Sequence, residues 1–428
     1  MWSYEKWEII VLRKGHTMIQ INGKRLIDDI DRLGGIGLDE EGKRTRTAAT
    51  DADKAGRDAV CAWMREAGIQ VTVDRVGNIF GVWDCAPEDH RGTAPLMLGS
   101  HIDTVINAGK YDGCLGVLAG IEVVRTMQEN GITPDRPIVV AAFTNEEGVR
   151  YAPDMLGSLV FAGGIDADEA LAVRGIDGTA LGEELSKIGY AGESCDLSVP
   201  CAFIELHIEQ GPILDRENIP IGAVEDLQGI AWYEITVTGH QNHAGTTPTH
   251  MRYDAGLAAA KINVFLRKRC EMAGSRTVAT VGTCSFEPNA VNVIPGKAVF
   301  TVDLRNPDEA CLQAEEQALT DYLKELEQTD QVRITARRVS RFEPVVFDQG
   351  IVEKIESAAR SRGLSCRRMT SGAGQDAQNL ATICPTAMIF VPSVGGISHD
   401  PEEYTRDQDI INGANILLDI AVDITTRR

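Results

Sequence analysis

Imidazoles and carboxylates stand where several apolar runs of this chain stop. The run APLMLG passes into Ser100-His101-Ile102-Asp103, RPIVVAAF ends at Thr144-Asn145-Glu146-Glu147, and CAFI leads to Glu205-Leu206-His207. A fourth run, TAMIFVPS, leads to Ser398-His399-Asp400, and Asp112-Gly113 lies in the loop ahead of a helical pattern. The chain has 8 histidines, and three of them (His101, His207 and His399) sit at such ends. Nitrogen and carboxylate donors together suit zinc, manganese or a similar divalent ion, and catalytic sites of this mixed type keep a position open for water. Any one of these signals alone is bland. A lone histidine at a strand end is commonly a framework hydrogen-bonding residue, and paired glutamates commonly cap a solvated helix. Here the glutamates close an apolar strand, where solvated carboxylates are least expected, and taken together the residues point to metal chemistry. Asp103, two residues past His101, lies on the same strand face and is placed to orient the imidazole.

The elements that must position these groups follow from periodicity. INGKRLIDDIDRL and DADKAGRDAVCAWMREAG carry apolar residues at helical spacing, the second stopping at Gly68. IQVTVDRVGNIFGVW reads as two short strands around a Gly-Asn turn, and GVLAGIEVVRTMQENG as an amphipathic helix. Alternation of buried strands with helices implies an α/β domain, a mostly parallel sheet covered by helices, with ligands at the C-terminal strand edge. Near Gly222 the character changes. AWYEITVTG, a long helix, TVATVGTCSF, GKAVFTVDLRN, a second helix and QVRITARRVS give the order strand, helix, strand, strand, helix, strand, that of an α+β ferredoxin-like sandwich. The chain then returns to α/β character. The expected organisation is a catalytic domain from residues 1–222 plus 342–428, with residues 223–341 inserted.

Composition removes several classes of function. A formal charge of −21 repels nucleic acid and anionic lipid. Ten cysteines without a C-x-x-C pair argue against a disulfide framework or a structural zinc, and imply reduced thiols and a cytoplasmic protein. No long apolar run reads as a membrane span, the N-terminus lacks a secretory pattern, and no role is read from residues 1–17.

The ordered set GSHIDTV, GKYDGCLGVLAG, TNEEGVRY, IELHIEQGPIL, GHQNHAGTTP, PNAVNVIPG, DLRNPD and GGISHDPEEYT resembles the M20 metallopeptidase-like amidohydrolases. Within them it is similar to the N-carbamoyl-L-amino-acid hydrolase, β-ureidopropionase and allantoate amidohydrolase branch. The likeness runs in order from about residue 21 to the C-terminus. It implies a di-zinc aminopeptidase-like catalytic domain with two divalent ions per subunit (Zn, Mn, Co or Ni). His101, Asp112 and His207 would hold one ion and Asp112, Glu147 and His399 the other, with Asp112 bridging. Glu146 would be the general base, and Asp103 joins it in the catalytic group. Gln210 resembles the residue that contacts the amide or ureido group. His243, Asn292 and Arg305 resemble those that bind the substrate carboxylate and the oxyanion; a guanidinium meets a carboxylate at two points. The inserted domain would pair two subunits and act as a lid, which implies a homodimer. The implied reaction is hydrolysis of a linear amide or ureido bond in a small carboxylate substrate such as an N-carbamoyl-L-amino acid or allantoate. An aminoacylase or dipeptidase of the same superfamily is the alternative; Gln210 and NHAGTTP speak against it. A catalytically dead binding protein would have lost Glu146 or a ligand, and none is lost. One departure stands out. In SGAGQDA, Gln375 occupies a position where the family usually has histidine; glutamine carries no charge and relays no proton, so as a substrate-binding residue it opens a shift in substrate, the alternative being a neutral exchange behind the site.

Overall fold

The computed structural model describes residues 13–14, 17–87, 92–195, 197–272 and 274–426, so most of the N-terminal stretch without an assigned role lies outside the described residues. The chain forms two compact units, Met1–Glu225 with Val346–Arg428, and Asp226–Val345.

The larger unit is built on a nine-stranded sheet. Its centre is four parallel strands in the order Thr386–Val391, Ala202–Ile208, Leu96–His101 and Ile138–Phe143. Every residue of these four is buried, as expected of strands covered on both faces. Each large apolar side chain there contributes about 1.5–3 kcal/mol by leaving water, which makes the strand ends a rigid platform. The flanks differ from the centre. Ile79–Trp83 and Gln70–Val73 run antiparallel on one side, and Ile221–Leu227 runs antiparallel to Thr386–Val391 on the other. Because Ile221–Leu227 belongs to this sheet, the chain leaves the larger unit only after Glu225.

The helix Cys114–Glu129 has the sequence pattern of an amphipathic surface helix, yet it is buried on nearly all sides. Its outer face is covered by Gly23–Gly34 and Asp407–Thr425, which pack over it while it lies on the sheet. It begins at Gly113, whose φ of 64° is left-handed. A Cβ there would stand 2.4 Å from the His101 ring, so only glycine lets this helix start against the imidazole.

The smaller unit runs strand Gly229–Thr238, helix Ala255–Cys270, strands Val278–Thr280 and Cys284–Glu287, strand Lys297–Asn306, helix Glu309–Thr329 and strand Arg333–Phe342. Its sheet is antiparallel throughout, with Lys297–Asn306 and Gly229–Thr238 central and Arg333–Phe342 at one edge. The segment TVATVGTCSF, which reads as one strand, is two short strands, both paired to Lys297–Asn306. Strict alternation of burial along Lys297–Asn306 shows one face packed and one open. The packed face meets Ile262, Leu266, Leu312, Leu319 and Leu323 of the two helices in a core separate from that of the larger unit.

Candidate metal centre

The centre is built at the C-terminal ends of the parallel strands of the larger unit. His101 closes Leu96–His101, and its Nδ1 lies 3.0 Å from the Asp103 carbonyl oxygen. A carbonyl only accepts, so Nδ1 carries the proton and Nε2 presents its lone pair. His207, in Ala202–Ile208, is fixed in the same way, its Nδ1 2.9 Å from the Ile208 carbonyl. Its Nε2 accepts from the Gly113 N–H at 3.1 Å. Both rings are fully buried and turn Nε2 towards Asp112, 3.5 Å away for His101 and 3.0 Å for His207.

Asp112 divides its oxygens between two sets of neighbours. Oδ1 faces His101 and His207, whereas Oδ2 lies 3.3 Å from His399 Nε2. His399 Nε2 is also 3.5 Å from Glu147 Oε2. Two donor groups result, His101 with Asp112 and His207, and Asp112 with Glu147 and His399, in each of which the candidate ligand atoms lie within 4.8 Å of one another. Asp112 is common to both. The loop that carries it is braced by Glu403, whose Oε1 accepts from the Tyr111 and Asp112 N–H groups at 3.1 and 3.3 Å.

The electrostatics say what these residues fit. His101 Nε2 is buried without a hydrogen bond. Burial opposes a charge on Asp112, yet the His101, His207 and His399 rings beside it hold it well below the usual carboxylate range. Glu147 is pushed up to about 8 by burial and by the Asp112 charge. Glu146 is driven well above its ordinary value, by burial first, with the charges of Asp376, Glu147 and Asp112 adding to it and His101 opposing. The hydrogen bond with Asp112 raises His399 to about 9. So many buried carboxylates around these imidazoles are short of positive charge, which a divalent ion at each group would supply. The donor set fits.

Glu146 stands in neither group, and its Oε2 is 3.3 Å from His101 Nε2. Asp103 does its orienting differently from the expectation. Its backbone carbonyl holds the His101 ring, while its carboxylate, 3.9 Å from Nδ1, accepts the N–H groups of Glu146 at 3.2 Å and Glu147 at 3.3 Å. It thus positions the two glutamates by their backbone. Gln210 has a left-handed φ of 56°, a strained choice for a non-glycine residue. Its amide lies between Gln375 Nε2, at 2.8 Å, and Asp112 Oδ2, at 2.9 Å.

The other three expected substrate residues lie in the smaller unit. The ladder Asn242–His243 against Val293–Ile294 brings His243 beside Asn292, whose carbonyl accepts the Ala244 N–H at 3.0 Å. His243 Nδ1 accepts from Gly245 and Thr246 N–H groups, which places the ring proton on Nε2. Arg305 makes a two-point pair with Asp303, two residues back on the same strand face. It sits opposite Ile230, at the end of the sheet remote from the Thr238–Lys297 pair. The His243 ladder adjoins that other end, through Pro295 and Gly296.

Several participants carry no signal in the sequence. Arg46, in the polar stretch GKRTRTAAT, reads as surface but is fully buried, donating to the carbonyls of Leu33, Ile36 and Ile102 and to Cys114 Sγ. Glu205 accepts from Ser100 Oγ at 2.5 Å and from the Ala377 N–H at 3.0 Å. Asp376, beside Gln375, is raised to about 8 by burial and the nearby Glu205. Glu403 lies four residues past His399, within a motif already singled out; the others depend on contacts remote in sequence, such as Arg46 with Ile102 and Glu205 with Ala377.

Comparison with known proteins gives a consistent set. The model of peptidase family M20/M25/M40 matches residues 97–423. An N-carbamoyl-L-amino-acid amidohydrolase of Rhizobium meliloti is 41% identical over 399 residues, covering 93% of this chain and 95% of that protein. A ureidoglycolate hydrolase of Arabidopsis thaliana is 35% identical over 413 residues, covering 94% of this chain and 86% of that one. Among solved structures, an amidase of the hydantoinase/carbamoylase family from Burkholderia multivorans is 42% identical and superposes with a TM-score of 0.91, covering 94% of this chain and 98% of its own.

Proposed function

The chain belongs to the peptidase family M20/M25/M40, and from that premise we propose that it is an N-carbamoyl-L-amino-acid hydrolase working through two divalent ions. It is an amidohydrolase of ureido or amide bonds; the substrate, the metals and the residue roles are our reading. The observation that carries this reading is the division of Asp112 between two His/carboxylate groups, with Glu146 beside them and in neither.

His101, Asp112 and His207 would hold one ion, and Asp112, Glu147 and His399 the other. Ions bound there supply Lewis acidity, which polarises the scissile carbonyl and acidifies the attacking water. Glu146 accepts a proton from that water as its oxygen attacks the carbamoyl carbon, and returns it to the departing nitrogen. Burial and like charges keep the Glu146 carboxyl willing to hold the proton between the two transfers. Asp103 holds the Glu146 backbone in place, and the Gln210 amide would meet the ureido group. Cleavage of the C–N bond yields the free amino acid and carbamate, which decomposes to carbon dioxide and ammonia.

The smaller unit supports a homodimer. Arg305 and the His243–Asn292 pair lie towards opposite ends of one sheet, eight strand steps from Arg305 to Lys297, or about 26 Å at 3.3 Å per residue. A single small carboxylate substrate cannot span that length. Arg305 would then serve one protomer's substrate and His243 with Asn292 the partner's. A cytoplasmic setting is supported by ten free cysteines, three of them exposed, and among the described residues no helix is long and apolar enough to cross a membrane.

The test is ammonia release by metal-loaded protein from N-carbamoyl-L-amino acids, allantoate, ureidoglycolate and β-ureidopropionate, with N-acetyl amino acids alongside. Release from an N-carbamoyl-L-amino acid, lost on chelation, is the expected result. Turnover of N-acetyl substrates only would assign the aminoacylase alternative.

A further inference from the structure

Gln375 ends a hydrogen-bond chain whose polarity is set by Asp112. A carboxylate only accepts, so Gln210 turns its amino group to Asp112 Oδ2, at 2.9 Å. Gln210 Oε1 therefore faces Gln375, which must donate through Nε2, at 2.8 Å. The chain is held at its middle, because the Gln210 N–H donates to Ser393 Oγ at 3.0 Å from a strained backbone. What is left over is the Gln375 carbonyl oxygen. The residue is 2% exposed and no donor reaches Oε1. Asp376 beside it is fully buried. Gln375 Oε1 is thus the unmet acceptor at the end of this chain.

A buried acceptor without a donor destabilises its surroundings until a ligand supplies one. We propose that Gln375 Oε1 receives an N–H of the substrate's terminal –NH2 group, and that Gln375 thereby selects N-carbamoyl over N-acyl amino acids. The assignment rests on the hydrolase reading given above. Carbamoyl and acetyl groups have nearly the same size and differ in presenting NH2 or CH3. A methyl group would leave Oε1 unpaired, and a site built to hydrogen-bond an N–H discriminates against the analogue that lacks it far better than a pocket judging bulk alone.

The test compares kcat/KM for the N-carbamoyl and N-acetyl derivatives of one L-amino acid in wild-type protein, Gln375→Met and Gln375→Glu. The corresponding Kd ratio is measured by calorimetry in a Glu146→Gln background. Loss of the bond from Gln375 to Gln210 weakens both substrates alike, and a ratio within one protein does not depend on the fraction folded. The carbamoyl-to-acetyl ratio is expected to fall about tenfold to a hundredfold in Gln375→Met. It should fall less in Gln375→Glu, which keeps an acceptor oxygen, and the Kd ratios should follow the same order. Equal losses on both substrates, or a fall in Gln375→Glu as large as in Gln375→Met, would overturn the assignment and leave the hydrolase reading standing. A wild-type protein that cleaves no N-carbamoyl substrate would remove that reading, and this inference with it.

Discussion

Replacing Glu146 by glutamine separates proton transfer from everything else the centre does. The amide keeps the size of the carboxylate and its place 3.3 Å from His101 Nε2, but it cannot take a proton from water. The loss expected from a missing general base is about 10²–10⁴-fold in kcat, or about 2.7–5.5 kcal/mol of transition-state stabilisation at 1.36 kcal/mol per tenfold. Two further readouts follow from the structure. Glu146 belongs to neither donor group, so metal content should be unchanged. Its carboxyl is raised well above its ordinary value by burial and by the charges of Asp376, Glu147 and Asp112, so removing the charge should leave the metal-free protein at least as stable as the parent. Glu146→Asp is the companion, since it withdraws the carboxylate by one methylene, about 1.5 Å, and an ångström of misplacement can itself cost about 10²-fold. Steady-state ammonia release, metal analysis and thermal melting report on the three claims. A Glu146→Gln protein with full kcat, or one that has lost its metals, would refute the reasoning.

Asp103→Asn turns an amide N–H against the Glu146 or Glu147 N–H that the carboxylate now accepts; kcat should fall about 10–100-fold, the usual effect of a supporting contact around a metal ligand, with metal content retained, and unaltered kcat would show that the two glutamates need no such support. In metal-free protein His399 is raised to about 9 by its hydrogen bond with Asp112, so below that pH a proton must leave before the ring can ligate. Metal affinity should therefore rise with pH up to about 9, and calorimetry in two buffers of different ionisation enthalpy should count at least one proton released near pH 7; none released would contradict this. Arg46→Met removes a buried guanidinium that satisfies three carbonyls and a thiol. The orphaned acceptors should destabilise the fold by about 3 kcal/mol or more, read as a shift in urea midpoint, and a shift worth less than about 1 kcal/mol would mean that water replaces the arginine.

The core of the centre is legible in the sequence because it sits at the ends of strands buried on both faces. Apolar runs announce such strands, and polar residues that interrupt them at His101, Glu146 and His207 have few other reasons to be there. The helix Cys114–Glu129 shows the limit of that kind of reading. Periodicity gives its face towards the sheet, but its outer cover comes from Gly23–Gly34 and Asp407–Thr425, about 100 residues before and nearly 300 after. Asp103 is a second case. A local pattern suggests that it serves the histidine two residues away, whereas its carboxylate serves backbone amides 43 and 44 residues on. Arg46 is a third, since nothing in a charged stretch marks which cation becomes fully buried. Gln375 was visible as a departure from the family pattern, and its meaning waited on a contact with Gln210, 165 residues away.

The central claim is that Asp112 joins two divalent ions into one hydrolytic centre. The most direct measurement is a divalent-metal titration of chelator-stripped protein, following ammonia release from an N-carbamoyl-L-amino acid, for wild type and Asp112→Ala. The account predicts no release from stripped wild type, recovery that saturates at two ions per chain, and no recovery in Asp112→Ala, in which both groups lose their shared ligand. Full activity in the stripped protein, or saturation of Asp112→Ala at the same two ions with wild-type turnover, would contradict it.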